Sequence, residues 1–237
     1  MIRLTEIIEK ETIRQVLDIG TGDGHFIKTL TELFPEAFFT GIDPSEEAIQ
    51  TARQSFPDKK YRFETMNAEN LVFPNESFDL STISNALHHL ATPEKALYEM
   101  KRVTRKGGWL VISEIISDRL NAAQLNQQLY HHHRSKIDRL SGIVHRETYS
   151  RDEVLALLKE NQLIPTGVFD YNRQEQPERN PDRLQLWISK MEQHQSKAER
   201  FPEYDELKAS LETFKERVMK DGFQPATNFV VIIRNDN

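Results

Sequence analysis

The sequence predicts an α/β protein in which a largely parallel sheet is doubly wound with helices. Two observations carry this. Between Arg14 and Glu114, short β-rich runs alternate with stretches of helical periodicity, and each run is mostly apolar, as strands buried on both faces are. Each run also ends in a glycine loop or a polar residue, where ligands of open parallel sheets collect.

The elements follow in order. Val16-Leu17-Asp18-Ile19 leads into a glycine loop, Ala37 to Ile42 into Asp43, Tyr61 to Glu64 toward Asn67, Phe78 to Ile83 into Ser84, and Trp109 to Ser113 into Glu114. Asp43-Pro44-Ser45-Glu46 offers a helix cap, a first-turn proline and an acid. Thr92-Pro93 opens a second helix through Ala96 and Met100, and Lys106-Gly107-Gly108 is read as its end. A long helix is expected from Arg119 to Leu140. Another starts at the capping box Ser150-Arg151-Asp152-Glu153 and stops before Pro165. Val168 to Tyr171 reads as a strand. Leu184, Trp187, Ile188 and Met191, then Tyr204, Leu207, Leu211, Phe214 and Val218, recur at helical spacing, and Phe229 to Ile233 is a last buried strand. The expected organisation is one domain over 1–237. It has a cofactor-binding core at 12–116 and substrate-side helices and last strands at 117–237, interrupted by a helical insertion at 180–222.

Composition narrows the function. Lys and Arg number 31 against 37 Asp and Glu, a net charge of −6, so no positive field is available to coat nucleic acid, which is not expected as a partner. With no cysteine, disulfides, thiolate metal sites and a cysteine nucleophile are excluded, and a reducing compartment fits. No apolar run reaches the ~18–20 residues of a membrane span, and the chain from Met1 leads into charge, so the expectation is a cytoplasmic protein without a membrane partner.

The chemistry gathers at Leu17-Asp18-Ile19-Gly20-Thr21-Gly22-Asp23-Gly24-His25-Phe26. Three alternate glycines between a strand and a helix let backbone turn tightly and approach a ligand. A dinucleotide fingerprint wants glycine where His25 stands. The carboxylates of Asp18 and Asp23 would repel a pyrophosphate but attract a sulfonium and an α-ammonium group, which points to S-adenosylmethionine. Asp43 ends the next strand, where a carboxylate can take ribose hydroxyls; it can equally cap the following helix.

This loop, together with Gly41-Ile42-Asp43-Pro44-Ser45, Asn67-Ala68-Glu69-Asn70-Leu71-Val72-Phe73-Pro74 followed by Ser77-Phe78-Asp79, Asn85-Ala86-Leu87-His88-His89-Leu90 and Lys106-Gly107-Gly108-Trp109-Leu110, resembles the class I S-adenosylmethionine-dependent methyltransferases. The branch is the small-molecule one that includes ubiquinone and menaquinone biosynthesis enzymes. The resemblance covers the first half of the chain firmly and the rest by topology. It implies a Rossmann-like, seven-stranded, mostly parallel sheet whose last strand, Asn228 to Ile233, is antiparallel. It also implies methyl transfer to a small-molecule acceptor with release of S-adenosylhomocysteine. By the same resemblance Asp18, Gly20, Thr21, Gly22 and Gly24 meet the methionine part and Asp43 the ribose, while Asn67, Ala68 and Glu69 meet the adenine edge. Ser84, Asn85 and Ala86 line the methyl group, and Phe26, Pro44 and Ser45 complete the cofactor set. Asn67 stands where the family has an acid; its side-chain oxygen still accepts from an amino group, without charge.

Methyl transfer is an in-line displacement, so the protein must align the acceptor and exclude water, with a base helping only where the acceptor carries a proton. His133, His145 and Tyr149 are the catalytic candidates. His133 interrupts the buried stripe of its helix, and the other two sit in the connection after it. His131, His132 and His133 are consecutive and fan over roughly 200°, so no metal site is expected there. Glu114 either reaches the pocket or lies exposed. Helices 181–221 form a lid or an oligomer surface, which leaves room for a homo-oligomer. The rival readings are an RNA or protein methyltransferase, for which Arg134, Lys136, Arg139 and Arg146 would cluster, a nicotinamide dehydrogenase, and a protein that binds the cofactor without catalysis.

Overall fold

The computed structural model describes residues 4–8 and 13–236. Residues 1–3, part of the reading of the N-terminal start, and residue 12, the first of the expected core, lie outside them. A short α1 (Leu4–Ile7) precedes β1 (Gln15–Ile19), α2 (His25–Leu33), β2 (Phe38–Asp43), α3 (Glu46–Ser55), β3 (Tyr61–Thr65) and β4 (Phe78–Ser84). A 3₁₀ turn at Leu87–His89 leads to α4 (Pro93–Val103), β5 (Thr104–Ile115), α5 (Ala122–Leu140), α6 (Arg151–Glu160), β6 (Gly167–Tyr171), α7 (Pro181–Gln195), α8 (Tyr204–Asp221) and β7 (Asn228–Arg234).

The expected seven-stranded sheet is present, in the order β3-β2-β1-β4-β5-β7-β6. The pairs β1–β2, β1–β4, β2–β3 and β4–β5 are parallel. The last strand runs against β5: Gly107 N–H donates to the Asn235 carbonyl (2.7 Å) and Ile116 N–H to the Thr227 carbonyl (3.1 Å), so one index rises as the other falls. Strand order reverses between β1 and β4. Such a switch point, here beyond Ile19 and Ser84, is where open α/β sheets take their ligands.

Tertiary contacts divide the chain into two compact units. The first holds the residues up to Glu114, Asp152–Asp170 and those from Phe229 on. Its core is the apolar strand faces (Val16, Leu17, Phe39, Ile42, Leu80, Ile83) covered by single helical stripes such as Ala96, Leu97, Met100 and Val103 of α4. The second unit, Ile115–Arg151 with Tyr171–Asn228, is helical. Here the predicted insertion does not stand alone. Leu184, Ile188 and Met191 of α7 and Leu211, Phe214 and Val218 of α8 form one cluster with Phe223, against which Leu129 and Tyr130 of α5 pack. Ile137, Ala198 and Leu207 form a second. No helix among the described residues is long and apolar enough to cross a membrane.

Three local readings are corrected. Lys106-Gly107-Gly108 does not end α4; the helix stops at Val103 and the glycines lie within β5. An irregularity in the β4–β5 register between Phe78 and Leu80 accommodates them. The long helix starts at Ala122, not Arg119, because Asn121 and Gln124 form a reciprocal capping box. The helix after β2 is capped by Ser45, whose hydroxyl accepts from Ala48 N–H, so Asp43 is not its N-cap.

Candidate functional site

Asp18 is the fourth residue of a strand flanked on both sides, and its side chain is buried at 1% exposure. The β1–β4 register sets it opposite Thr82, whose hydroxyl donates to Asp18 Oδ1 at 2.7 Å. Burial pushes this carboxyl up to about 6, the Thr82 hydrogen bond and the nearby Thr21 hydroxyl pull it down, and Asp43 adds to the rise. Asp18 Oδ2 and Thr21 Oγ1 are buried without a hydrogen-bond partner among the described residues. Such orphans cost about 1–3 kcal/mol each unless a ligand satisfies them.

The loop after β1 is left-handed at Gly20 (φ 68°), Gly22 (55°) and Gly24 (87°). A Cβ at Gly20 would lie 2.4 Å from Ala86 Cβ, so the loops leaving β1 and β4 touch back to back; at Gly22 it would meet nothing within 4 Å, leaving open space beside the backbone. Gly20→Ala is therefore expected to destabilise the protein by about 2–4 kcal/mol, combining positive φ with a clash, as a chemical-denaturation midpoint would register. Gly22→Ala carries only the backbone penalty and should do distinctly less. Asp23 is exposed, its Oδ1 accepting from His25 N–H at 3.2 Å, and Phe26 is half-buried on α2.

Asp43 ties the two loops together. Oδ2 accepts from Gly22 N–H (3.0 Å) and Oδ1 from Ser45 N–H (2.9 Å), which orients the carboxylate and leaves further lone pairs on both oxygens. Pro44 and Ser45 are exposed beside it. After β3, Asn67 is exposed and its Oδ1 accepts from Glu69 N–H (2.9 Å), Ala68 is buried, and Glu69 Oε1 accepts from Thr92 N–H (2.8 Å). Glu69 thus fastens this loop to the start of α4. At the end of β4, Ser84 is half-buried and Asn85 adopts a left-handed conformation (φ 52°) with its N–H on the Ser113 carbonyl (2.8 Å). Glu114 is neither exposed nor idle: at 1% exposure it accepts from Leu87 N–H (3.1 Å) and meets His88 Nδ1 at 2.7 Å. His88 is buried and His89 exposed.

The three catalytic candidates lie in the helical unit. His133, at 3% exposure, sits on α5 between Tyr130 of one apolar cluster and Ile137 of the other; neither ring nitrogen has a partner among the described residues. Burial, with a smaller contribution from His194, holds its imidazole down at about 4, so it is neutral at ordinary pH. His145 is buried with Nδ1 2.6 Å from Asp138 Oδ2, and Arg139 donates to its carbonyl (2.8 Å). Tyr149 is buried with the Arg146 guanidinium 3.5 Å over its ring. Sequence reasoning missed Thr82 and Asp138. Thr82 becomes findable once β1 and β4 are paired, whereas Asp138, seven residues before His145, carries no local signal.

Residues 17–112 match the model of a methyltransferase domain. The chain is 30% identical over 162 residues to the uncharacterised methyltransferase YcgJ of Bacillus subtilis, covering 67% of this chain and 60% of that protein, so it spans less than two thirds of that relative. It is 27% identical over 167 residues to the demethylmenaquinone methyltransferase of Thermotoga maritima, covering 68% and 71% respectively. The crystal structure of YcgJ superposes with a TM-score of 0.61 over 98% of this chain and 96% of that one, at 21% identity, which shows a shared fold.

Proposed function

We propose that this chain, whose residues 17–112 match a methyltransferase domain, is a class I S-adenosylmethionine-dependent methyltransferase that moves a methyl group from that cofactor to a small-molecule acceptor. The observation that carries the reading is the buried, unpartnered Asp18 Oδ2 beside the open backbone of Gly22. An acceptor-rich, acidic cradle suits an ammonium and a sulfonium and opposes a pyrophosphate. When bound, the cofactor supplies a methyl group already activated by its sulfonium. The chain's own residues bind and align. Asp18 and Thr21 take the α-ammonium group, Asp43 offers its remaining lone pairs to ribose hydroxyls, and the Asn67–Glu69 turn borders the adenine. Phe26, Pro44 and Ser45 close around these, and Ser84 and Asn85 line the methyl end.

Where the acceptor carries a proton, His145 is the base we favour, because Asp138 holds its Nδ1 and so fixes which nitrogen receives the proton. A small molecule is the acceptor class that fits. The demethylmenaquinone methyltransferase among the relatives is consistent with it, and three of the four cations whose clustering would favour a nucleic acid face carboxylates of the chain itself. Arg134 faces Asp138 at 3.6 Å, Lys136 faces Glu206 at 2.6 Å, and Arg139 faces Glu147 at 3.4 Å. We take the setting to be cytoplasmic.

Calorimetric titration with S-adenosylmethionine, S-adenosylhomocysteine and NAD should show binding of the first two alone; binding of NAD, or of neither sulfur compound, would overturn the reading. Asp43→Ala should weaken S-adenosylmethionine by about 1.5–3 kcal/mol, since a charged hydrogen-bond acceptor is removed and Gly22 N–H is released. An unchanged dissociation constant with only a lower melting temperature would make Asp43 a fastener of the two loops and nothing more.

A further inference from the structure

We propose a second ligand site at the opposite end of the sheet's parallel strands, suited to a small amino acid that carries a second anionic group. A cavity of about 440 Å³ opens in the first unit where α4 gives way to β5, and its lining includes Glu76, Tyr98, Lys101, Lys106, Asn161 and Asn235. It lies at the start of β5, whereas the glycine loop and Ser84 lie at the far ends of β1 and β4, so it is separate from the cofactor cradle. None of its lining residues is among those proposed to hold the cofactor.

Among the described residues, some of the charges at this cavity are engaged and others are not. Arg102 is saturated by Glu99 and by the carbonyls of Leu71 and Phe73, and Arg105 is held by Asp79. Lys101, Lys106 and Glu76 make no ion pair among the described residues. Two ammonium groups and one carboxylate therefore line one cavity, and the complementary ligand has two anionic groups and one ammonium.

Asn235 fixes where the ligand's ammonium goes. Its side chain is 4% exposed, and its Nδ2 donates to the carbonyls of Lys101 (3.2 Å), Thr104 (2.7 Å) and Arg105 (3.3 Å), closing the C-terminal end of α4. Three carbonyls on one side leave only one sense for the amide, because the reverse would set oxygen against oxygen. Its Oδ1 is then buried without a donor among the described residues. Capping explains the nitrogen and leaves the oxygen unsatisfied, and an ammonium supplies the missing N–H. The carbonyls that end α4 add negative potential at the same place, and Glu76 adds a full charge. The lysines take the anionic groups.

The test is calorimetric titration with O-phospho-L-serine and L-aspartate, against inorganic phosphate and L-serine, together with the Asn235 side-chain amide signal in ¹H–¹⁵N spectra. Saturable binding of phosphoserine or aspartate, tighter than phosphate or serine and shifting the Asn235 amide, is expected; which of the two binds tighter identifies a phosphate or a carboxylate as the second anion. Lys101→Ala with Lys106→Ala, both on accessible side chains, should weaken it roughly tenfold or more and leave S-adenosylhomocysteine affinity unchanged. No saturable binding of either amino acid, phosphate binding as tightly as phosphoserine, or indifference to the lysine pair would overturn the proposal.

Discussion

Asp18→Asn should weaken S-adenosylmethionine binding roughly tenfold or more near neutral pH, and should abolish the pH dependence of that binding. In the native protein the carboxyl is held at about 6 by burial, so it is ionised at neutral pH and protonated in mild acid. A cationic ligand prefers the ionised form, so affinity should fall as pH drops below about 6. The amide substitute keeps an oxygen for Thr82 but places an N–H₂ where Oδ2 now waits for a donor, and it is indifferent to pH. Stability without ligand changes in the opposite sense. The folded pKa lies above the ordinary 3.8, so the native state holds its proton longer than the unfolded chain, and the contribution of this carboxyl to stability is lost as pH rises from 3.8 through about 6. The full loss is about 3 kcal/mol. The variant should not show it, although its own buried amide offsets part of the gain. Denaturation midpoints and cofactor titrations across this range check both halves. Unchanged affinity, or a variant that keeps the native slope, would place Asp18 outside cofactor binding.

The same residue shows what was legible in the sequence. Glycine spacing and the position of two acids relative to a strand are local properties, so the loop, its charge and the strands on either side could be read directly. The burial of Asp18 could not, because it depends on which strands flank β1. Asp43 was half legible: its place at the end of β2 was plain, but its choice of Gly22 and Ser45 as partners over a cap reflects how the two loops meet. Lys106-Gly107-Gly108 misled because glycine marks a helix stop and a strand irregularity equally well, and only the shifted register with β4 separates the two. Periodicity found α7 and α8 correctly as amphipathic helices. It gave no hint that α5 completes their core, since the exposed and buried stripes of α5 are interrupted by polar residues, Asn126 and His133 among them.

His133 carries the second large effect. Replacing it with leucine should raise stability, since two ring nitrogens buried without partners between apolar clusters give way to a side chain that suits them. It should also remove an acid sensitivity. The folded pKa of about 4 lies below the ordinary 6.5, so the unfolded chain takes up the proton first. The histidine's contribution is intact above pH 6.5 and is lost as pH falls through about 4, a change of about 3 kcal/mol. This trend opposes that of Asp18 over nearly the same interval. In a cooperatively unfolding chain these two contributions largely cancel between pH 4 and 6.5, and the slope that remains comes from other groups held low, His132 and His194 among them. Each single variant then uncovers the other group: relative to the native protein, Asp18→Asn should gain stability with rising pH, and His133→Leu should lose it. If the two units melt separately, calorimetry resolves the slopes on separate transitions, the Asp18 slope on the sheet unit and the His133 slope on the helical one. A His133→Leu protein whose stability still falls toward pH 4 as the Asp18→Asn protein's does would mean that another group carries the acid sensitivity.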